Sequence, residues 1–134
     1  MNSGKDNIII KNNKIAGRYL IASIALAVAG AIYESASHGV FSYYMIYAFM
    51  IPLVLGCLPH IFNRKGFFEA AGPAAEGLLA AAVTTLSVGS VVKGALEIYG
   101  TTNSMTVFYP VAGIMAIAAA LAVSVINFAA SCRE

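Results

Sequence analysis

The sequence predicts an all-α polytopic membrane protein with four transmembrane helices, and three observations support this prediction. Of the 134 residues, 60% are hydrophobic and only 10% are charged, whereas about 25% of an ordinary soluble domain is charged. The apolar residues fall into four stretches, each able to supply the ~20 residues that cross a bilayer core. Most charged residues lie near the ends of these stretches. Inside lipid the stretches must be helical, because a helix satisfies its own backbone hydrogen bonds.

The first half of the chain holds a tail and two predicted spans. Residues 1–17 are expected to form a cytoplasmic tail, and residues 18–134 the transmembrane domain. The first span, 19–38, follows a basic segment, a pattern that also fits a cleaved signal peptide, so this alternative stays open. The second span, 41–62, is rich in tyrosine, phenylalanine and methionine. Pro52 predicts a bend in it and a free backbone carbonyl, since proline has no N–H to donate.

The second half supplies two further spans, 74–98 and 105–129, of which the second has no charged residue. Short connections make consecutive spans antiparallel, so the four form two hairpins. A weak repeat at an offset of 66 matches Ile32-Tyr33 with Ile98-Tyr99. If the halves are duplicated, the second hairpin runs parallel to the first, as in other membrane folds built from repeats.

The basic residues predict the orientation. Only Lys93 lies near the side that is predicted to face outward. The positive-inside rule therefore places both termini in the cytoplasm, and we expect a bacterial plasma membrane. The formal net charge of +2 is too small to indicate a nucleic-acid partner. Seven basic residues lie on the predicted inner side: Lys5, Lys11, Lys14, Arg18, Arg64, Lys65 and Arg133.

Small residues recur at every fourth position in three of the spans. Such stripes let helix backbones approach closely in lipid, where no hydrophobic effect drives helices together. Three helices are therefore predicted to pack through these stripes. The predicted packing residues are Ala27, Ala31, Gly77, Ala81, Thr85, Gly89, Ala112, Ala116 and Ala120.

Ionisable residues near the predicted outer surface are the candidates for ion or substrate binding. Glu34 and His38 are four residues apart, as are Lys93 and Glu97, so each pair is expected to share a helix face. Ionisable groups in membrane spans usually face the protein interior or a watery cavity. We define the outer cluster as Glu34, His38, Lys93, Glu97, Tyr33, Tyr99 and Asn103.

Three hypotheses explain the outer cluster. In the first, both glutamates flank Lys93 in an ion-pair network that fixes the helices. In the second, the cluster lines a vestibule for an ion or small polar solute, and Glu34 exchanges protons with His38. In the third, Glu34 and His38 bind a divalent metal, although two ligands are too few for a protein zinc site.

No cofactor is predicted from the sequence. The two histidines, His38 and His60, fall at opposite ends of one predicted hairpin, so one chain is not expected to hold haem between them. Haem with a single protein histidine stays open. Cys57 and His60 lack a second ligand pair, and nucleotide-binding and hydrolase motifs are missing.

The sequence therefore favours a non-enzymatic subunit of a larger membrane transport or redox assembly. Its expected partners are the lipid bilayer and either other membrane subunits or further copies of itself. One alternative is a homo-oligomeric small transporter or channel that uses the outer cluster. Another is a membrane electron carrier linked to haem or quinone.

Overall fold

The computed structural model describes residues 3–62 and 67–133, apart from the side chains of residues 67–70. These residues form helices and turns, with no strand among them. Three helices are long and apolar enough to cross a membrane: Ser3–Ala36, Ala71–Ile98 and Ser104–Ser131. The chain is thus all-helical and has the composition of a small membrane protein. Arg64 and Lys65, which carry part of the predicted charge bias, lie outside the described residues.

Helix α1 runs without interruption over Ser3–Ala36. It joins most of the predicted tail to the first span in one rod, about 51 Å long at 1.5 Å per residue. It ends two residues before the predicted limit. His38 (φ 56°) and Gly39 (φ 93°) adopt left-handed backbone conformations that stop a helix.

Region 41–62 differs most from the prediction, since it is not one helix of spanning length. It contains the short helix α2 (Tyr43–Ile46), a π-helical segment (Pro52–Cys57) and helix α3 (Leu58–Phe62). The chain turns at residues 47–49, just before the π-helical segment. The apolar helical part, Pro52–Phe62, would extend only about 16 Å as an α-helix.

The helical pattern is interrupted near Pro52, as predicted, but the Ala48 carbonyl oxygen, which the missing proline N–H would leave free, accepts a 3.3 Å hydrogen bond from the Ile51 N–H. The α-helical pattern is broken on both sides of this residue. The carbonyl oxygen of Phe49 accepts a hydrogen bond of 2.8 Å from the Ser23 hydroxyl. Helix α1 therefore supplies a second donor to this carbonyl, which also accepts a 3.4 Å hydrogen bond from the Leu53 N–H.

The start of region 41–62 packs against one glycine of α1 and one glycine of the helix Ala71–Ile98. A Cβ at Gly30 of α1 would lie 3.2 Å from the Met45 carbonyl oxygen, and one at Gly94 would lie 2.9 Å from the Met45 nitrogen. Met45 itself is 5% exposed. The backbone of α2 is thus held between two glycines, where any side chain would push it away.

Helix α4 covers Phe67–Ile98 and is kinked at Gly72, whose φ of 81° and ψ of 167° are not helical. Pro73 follows and disfavours the helical conformation of the residue before it. The Asn127 side-chain amide donates a 2.6 Å hydrogen bond to the Ala71 carbonyl oxygen at this kink. The kink divides the helix at Gly72.

Helix α5 (Phe108–Ser131) follows a 3₁₀ turn at Ser104–Val107 and packs antiparallel to α4. Tyr109 packs over Gly89. A Cβ atom at Gly89 would overlap the Cβ atom of Tyr109. In the opposite sense, the Leu86 side chain fills the space above Gly113. These reciprocal contacts make α4–α5 a closely packed helix pair.

Helices α1 and α4 run in the same direction. Lys11 and Glu76, 65 positions apart, form a 3.3 Å ion pair at one end of the two helices. Gly30 and Gly94 meet the same residue of α2 towards the other end. The two helices are therefore parallel, with a register close to the repeat offset of 66. Between these contacts they are separated by a groove.

The predicted small-residue stripes are only partly used within the chain. Gly89 and Ala120 are buried, and Thr85 and Ala116 are half-buried. The remaining members are exposed: Ala27, Ala31, Gly77, Ala81 and Ala112. On α1, the face turned to the rest of the chain carries Ala16, Ser23 and Gly30 instead. These positions recur every seven residues, a spacing that holds one face of a helix more closely than repeated steps of four.

Candidate functional site

Glu34 and His38 do not share a helix face, because α1 ends between them at Ala36. The Ser37 hydroxyl lies 2.8 Å from the Glu34 carbonyl oxygen and 2.6 Å from that of Val40. His38 is exposed in this turn, and its Nδ1 is 3.0 Å from the Ala36 carbonyl oxygen. The helical Glu-x-x-x-His geometry expected for a metal pair is therefore absent at these two residues.

Lys93 and Glu97 both lie on α4 but bind separate hydroxyl groups. The Lys93 ammonium donates a 2.7 Å hydrogen bond to the Tyr44 hydroxyl and lies 4.0 Å from the ring centre. The Glu97 carboxylate accepts a 2.7 Å hydrogen bond from Ser42, which is 1% exposed. Among residues 3–62 and 67–133, no ion pair joins Lys93 to Glu34 or Glu97. The expected ion-pair network is therefore replaced by contacts with hydroxyl groups.

The tyrosines of the outer cluster are brought together. The Tyr33 and Tyr99 side chains lie close enough to interact, at the ends of α1 and α4. These residues are matched by the weak repeat, as expected for equivalent positions on parallel helices. Asn103 has a local role, since its Oδ1 accepts a 2.9 Å hydrogen bond from the Met105 N–H at the 3₁₀ turn.

Glu34 is the least engaged carboxylate of the outer cluster. Its side chain is half-buried, and its buried Oε1 has no hydrogen-bond partner within the described part of the chain. A buried carboxylate oxygen without a donor is costly. Of the seven cluster residues, Glu34 is therefore the one whose chemistry the fold leaves most open.

Three polar residues of this region were missed by the sequence reasoning. Ser42 binds Glu97, Tyr44 binds Lys93, and Ser90 donates a 2.7 Å hydrogen bond to the Tyr44 carbonyl oxygen. Ser90, Lys93 and Glu97 follow one another at steps of three and four, which place them on one face of α4. This spacing was a signal that α4 presents a polar face. Nothing in the sequence marks region 42–44 as its partner.

The opposite end of the fold contains His60, which is buried at 2% exposure. Its Nδ1 lies 2.7 Å from the Gly56 carbonyl oxygen, and its ring lies 5.6 Å from the Tyr19 ring, centre to centre. Cys57 is buried and Cys132 exposed, both as free thiols. Within the described ranges, no three His, Cys, Asp or Glu side chains come together as a metal site would require.

Comparison of the chain with protein-family models, with curated protein sequences and with solved structures gives no match.

Proposed function

We propose that this protein is a non-enzymatic subunit of a larger membrane assembly for transport or redox chemistry. The main supporting observation is that small residues face away from the rest of the chain on three helices, as at Ala27, Ala31, Ala81 and Ala112. Small residues in lipid favour close approach of another helix. A helix of a second membrane protein fits against these surfaces better than lipid chains do.

The outer cluster supports a structural role for this end of the molecule. Lys93 and Glu97 hold α2 to α4 through Tyr44 and Ser42. Charged groups that are bound to the same chain stabilise helix positions and are less free to carry a solute. In this proposal the chain crosses the bilayer four times and both termini lie in the cytoplasm. Region 41–62 makes the second crossing as an interrupted helix.

The test is to extract the protein from its native membrane in mild detergent and measure the masses of intact complexes. We expect other membrane subunits in fixed stoichiometry. The variant Ala27→Leu/Ala31→Leu should lose these subunits, because larger side chains prevent close helix approach. Both residues are exposed, so the fold of the chain itself should be preserved.

Ala29→Leu is the matched control, since Ala29 is an exposed alanine of α1 outside the stripe. It should retain the subunits. Complexes that contain only copies of this chain would contradict the proposal. Equal loss of subunits in both variants would show that the stripe is not the contact surface.

A second candidate function is a homo-oligomeric transporter or channel for an ion or small polar solute. The unpartnered Oε1 of Glu34 favours it, because such a group can bind a cation or a proton. In proteoliposomes, Glu34→Gln should then abolish flux while leaving the oligomer mass unchanged. Flux equal to that of the natural protein would exclude Glu34 as the transport residue.

A further inference from the structure

The groove between α1 and α4 changes from charged to apolar along its length. It consists of three adjoining cavities with volumes of about 490, 460 and 490 Å³. Tyr19 and Ala22 border both the apolar and the middle cavity, and Ile15 and Arg18 border both the middle and the charged one. The cavities therefore form one continuous groove.

The charged end of the groove carries more positive than negative charge. Lys11, Lys14 and Arg18 line it from α1, and Glu76 lines it from α4. Steps of three and four place the three basic residues on one face of the helix. Glu76 pairs with Lys11. Within the described part of the chain, no ion pair engages Lys14 or Arg18, so two cations remain available to an anion.

The other end of the groove is a hydrocarbon surface with one buried hydroxyl. Leu26 lines it from α1, and residues 83–92 of α4 contribute four valines. This stretch of α4 is about 14 Å long, close to the ~15 Å hydrocarbon depth of one leaflet. The groove therefore matches an acyl chain in both polarity and length.

Ser87 gives an independent indication of a ligand. It is 8% exposed, borders the apolar cavity, and its Oγ has no hydrogen-bond partner among residues 3–62 and 67–133. In the parallel register of α1 and α4, Arg18 is level with Val83, and Ser87 lies one turn, about 6 Å, deeper. A glycerophospholipid likewise carries its ester carbonyls a few bonds below its phosphate.

We propose that this groove binds one anionic glycerophospholipid from the leaflet on the N-terminal side. Lys14 and Arg18 bind the phosphate and its anionic headgroup. The Ser87 hydroxyl donates a hydrogen bond to an ester carbonyl. One acyl chain lies between Leu26 and the valines of α4, where it excludes other lipids from the gap between the two helices.

The experiment uses the full chain, purified and delipidated in detergent, and counts bound lipids by mass spectrometry of the intact protein. Phosphatidylglycerol and phosphatidylcholine with identical acyl chains are the two probes. We expect one phosphatidylglycerol molecule per chain and clearly weaker binding of phosphatidylcholine. Arg18→Gln should lower phosphatidylglycerol affinity about five-fold, the effect of one basic residue near an anionic lipid.

Arg133→Gln is the matched control for the charge, because this exposed arginine borders none of the three cavities. It should leave the affinity unchanged. Ala22→Phe fills the junction of the middle and apolar cavities and should also lower binding, whereas Ala29→Phe should not. Both alanines are exposed, so a folded protein is expected, and the Arg18 pair remains informative if Ala22→Phe fails to fold.

Three outcomes would overturn the proposal. Equal binding of the two lipids would remove the role of the charge. Displacement of phosphatidylglycerol by inorganic phosphate would indicate a simple anion site without an acyl-chain contribution. Recovery of a quinone or a partner helix in the groove of the natural protein would identify a different occupant.

Discussion

The two helix pairs of this molecule are joined in different ways. The α4–α5 pair is closed by side chains that fill the space above glycines, Tyr109 over Gly89 and Leu86 over Gly113. Helix α1 meets region 41–62 through a similar side-chain contact, Tyr19 over Gly56, and also through backbone, with Ser23 bonded to the Phe49 carbonyl and Gly30 against Met45. The first pair depends on shape alone, and the second also on contacts to the backbone of an interrupted helix.

This difference indicates how regular each half of the bundle can be. An intact helix needs no partner for its backbone and can pack through shape alone. A helix broken at Pro52 exposes polar backbone groups, so its neighbour must offer donors or come very close. The pair with the broken helix should therefore tolerate larger shape changes than the α4–α5 pair.

The largest expected effect is that of Gly89→Ala, which should destabilise the protein by about 2–3 kcal/mol. The new methyl group would overlap the Cβ of Tyr109, an atom that cannot move without shifting the helix. The loss would be measured as a lower midpoint of urea or thermal unfolding in detergent micelles.

Gly77→Ala is the control on the same helix, because a Cβ there meets no atom within 4 Å. It should leave stability unchanged or raise it slightly, since alanine favours a helix more than glycine does. Gly56→Ala tests the other pair. The added methyl would overlap the Tyr19 ring, which borders the open groove and can move into it, so a smaller loss is expected. A loss equal to that of Gly89→Ala would refute the contrast between the pairs.

A moderate effect is expected for Ser23→Ala, which removes the donor to the Phe49 carbonyl. Hydrogen bonds between membrane helices average about 0.6 kcal/mol, and the loss should stay near this value because the Phe49 carbonyl oxygen also accepts a 3.4 Å hydrogen bond from the Leu53 N–H. Unfolding in micelles gives the stability change, and hydrogen exchange around residues 49–53 should increase. Ser35→Ala is the control, since the Ser35 hydroxyl binds a carbonyl of its own helix. Equal losses in both variants would argue against a special role for Ser23.

The smallest effect is expected for Lys11→Met, which removes the ion pair with Glu76. The lysine side chain is 50% exposed, and exposed ion pairs contribute about 0.2–1 kcal/mol. A double-mutant cycle with Glu76→Gln would measure the coupling, which should decrease with added salt. Coupling above this range, or insensitive to salt, would show that the pair is more buried than the structure indicates.

The long helices could be predicted from the sequence because apolar length and lipid leave few alternatives. The spans 74–98 and 105–129 agree with the apolar helices Ala71–Ile98 and Ser104–Ser131 to within a few residues. The kink at Gly72 and the end of α1 depend on single left-handed residues, which shift boundaries without changing hydropathy. In region 41–62 the position of Pro52 was informative. The position of Met45 between Gly30 and Gly94 was not predicted, because it depends on glycines that are distant in the sequence.

The candidate site was less predictable than the fold. Spacing placed Lys93 and Glu97 on one helix correctly but could not reveal that hydroxyl groups of region 42–44 would bind them. The four-residue spacing of Glu34 and His38 does not place them on one helix face, because α1 ends between them at Ala36. The groove lay beyond sequence reasoning, since it arises from the distance between α1 and α4, and no periodic pattern encodes a distance between two helices.

The held position of Met45 has a mechanical consequence. Its backbone is a wedge between two parallel helices that are pinned at this level by Gly30 and Gly94. Below the wedge, the same helices enclose the groove and meet again at Lys11 and Glu76. Met45 is therefore the fixed contact about which α1 pivots relative to α4. A change in the width of the groove must therefore tilt α1 about Met45 and strain the ion pair at the far tip.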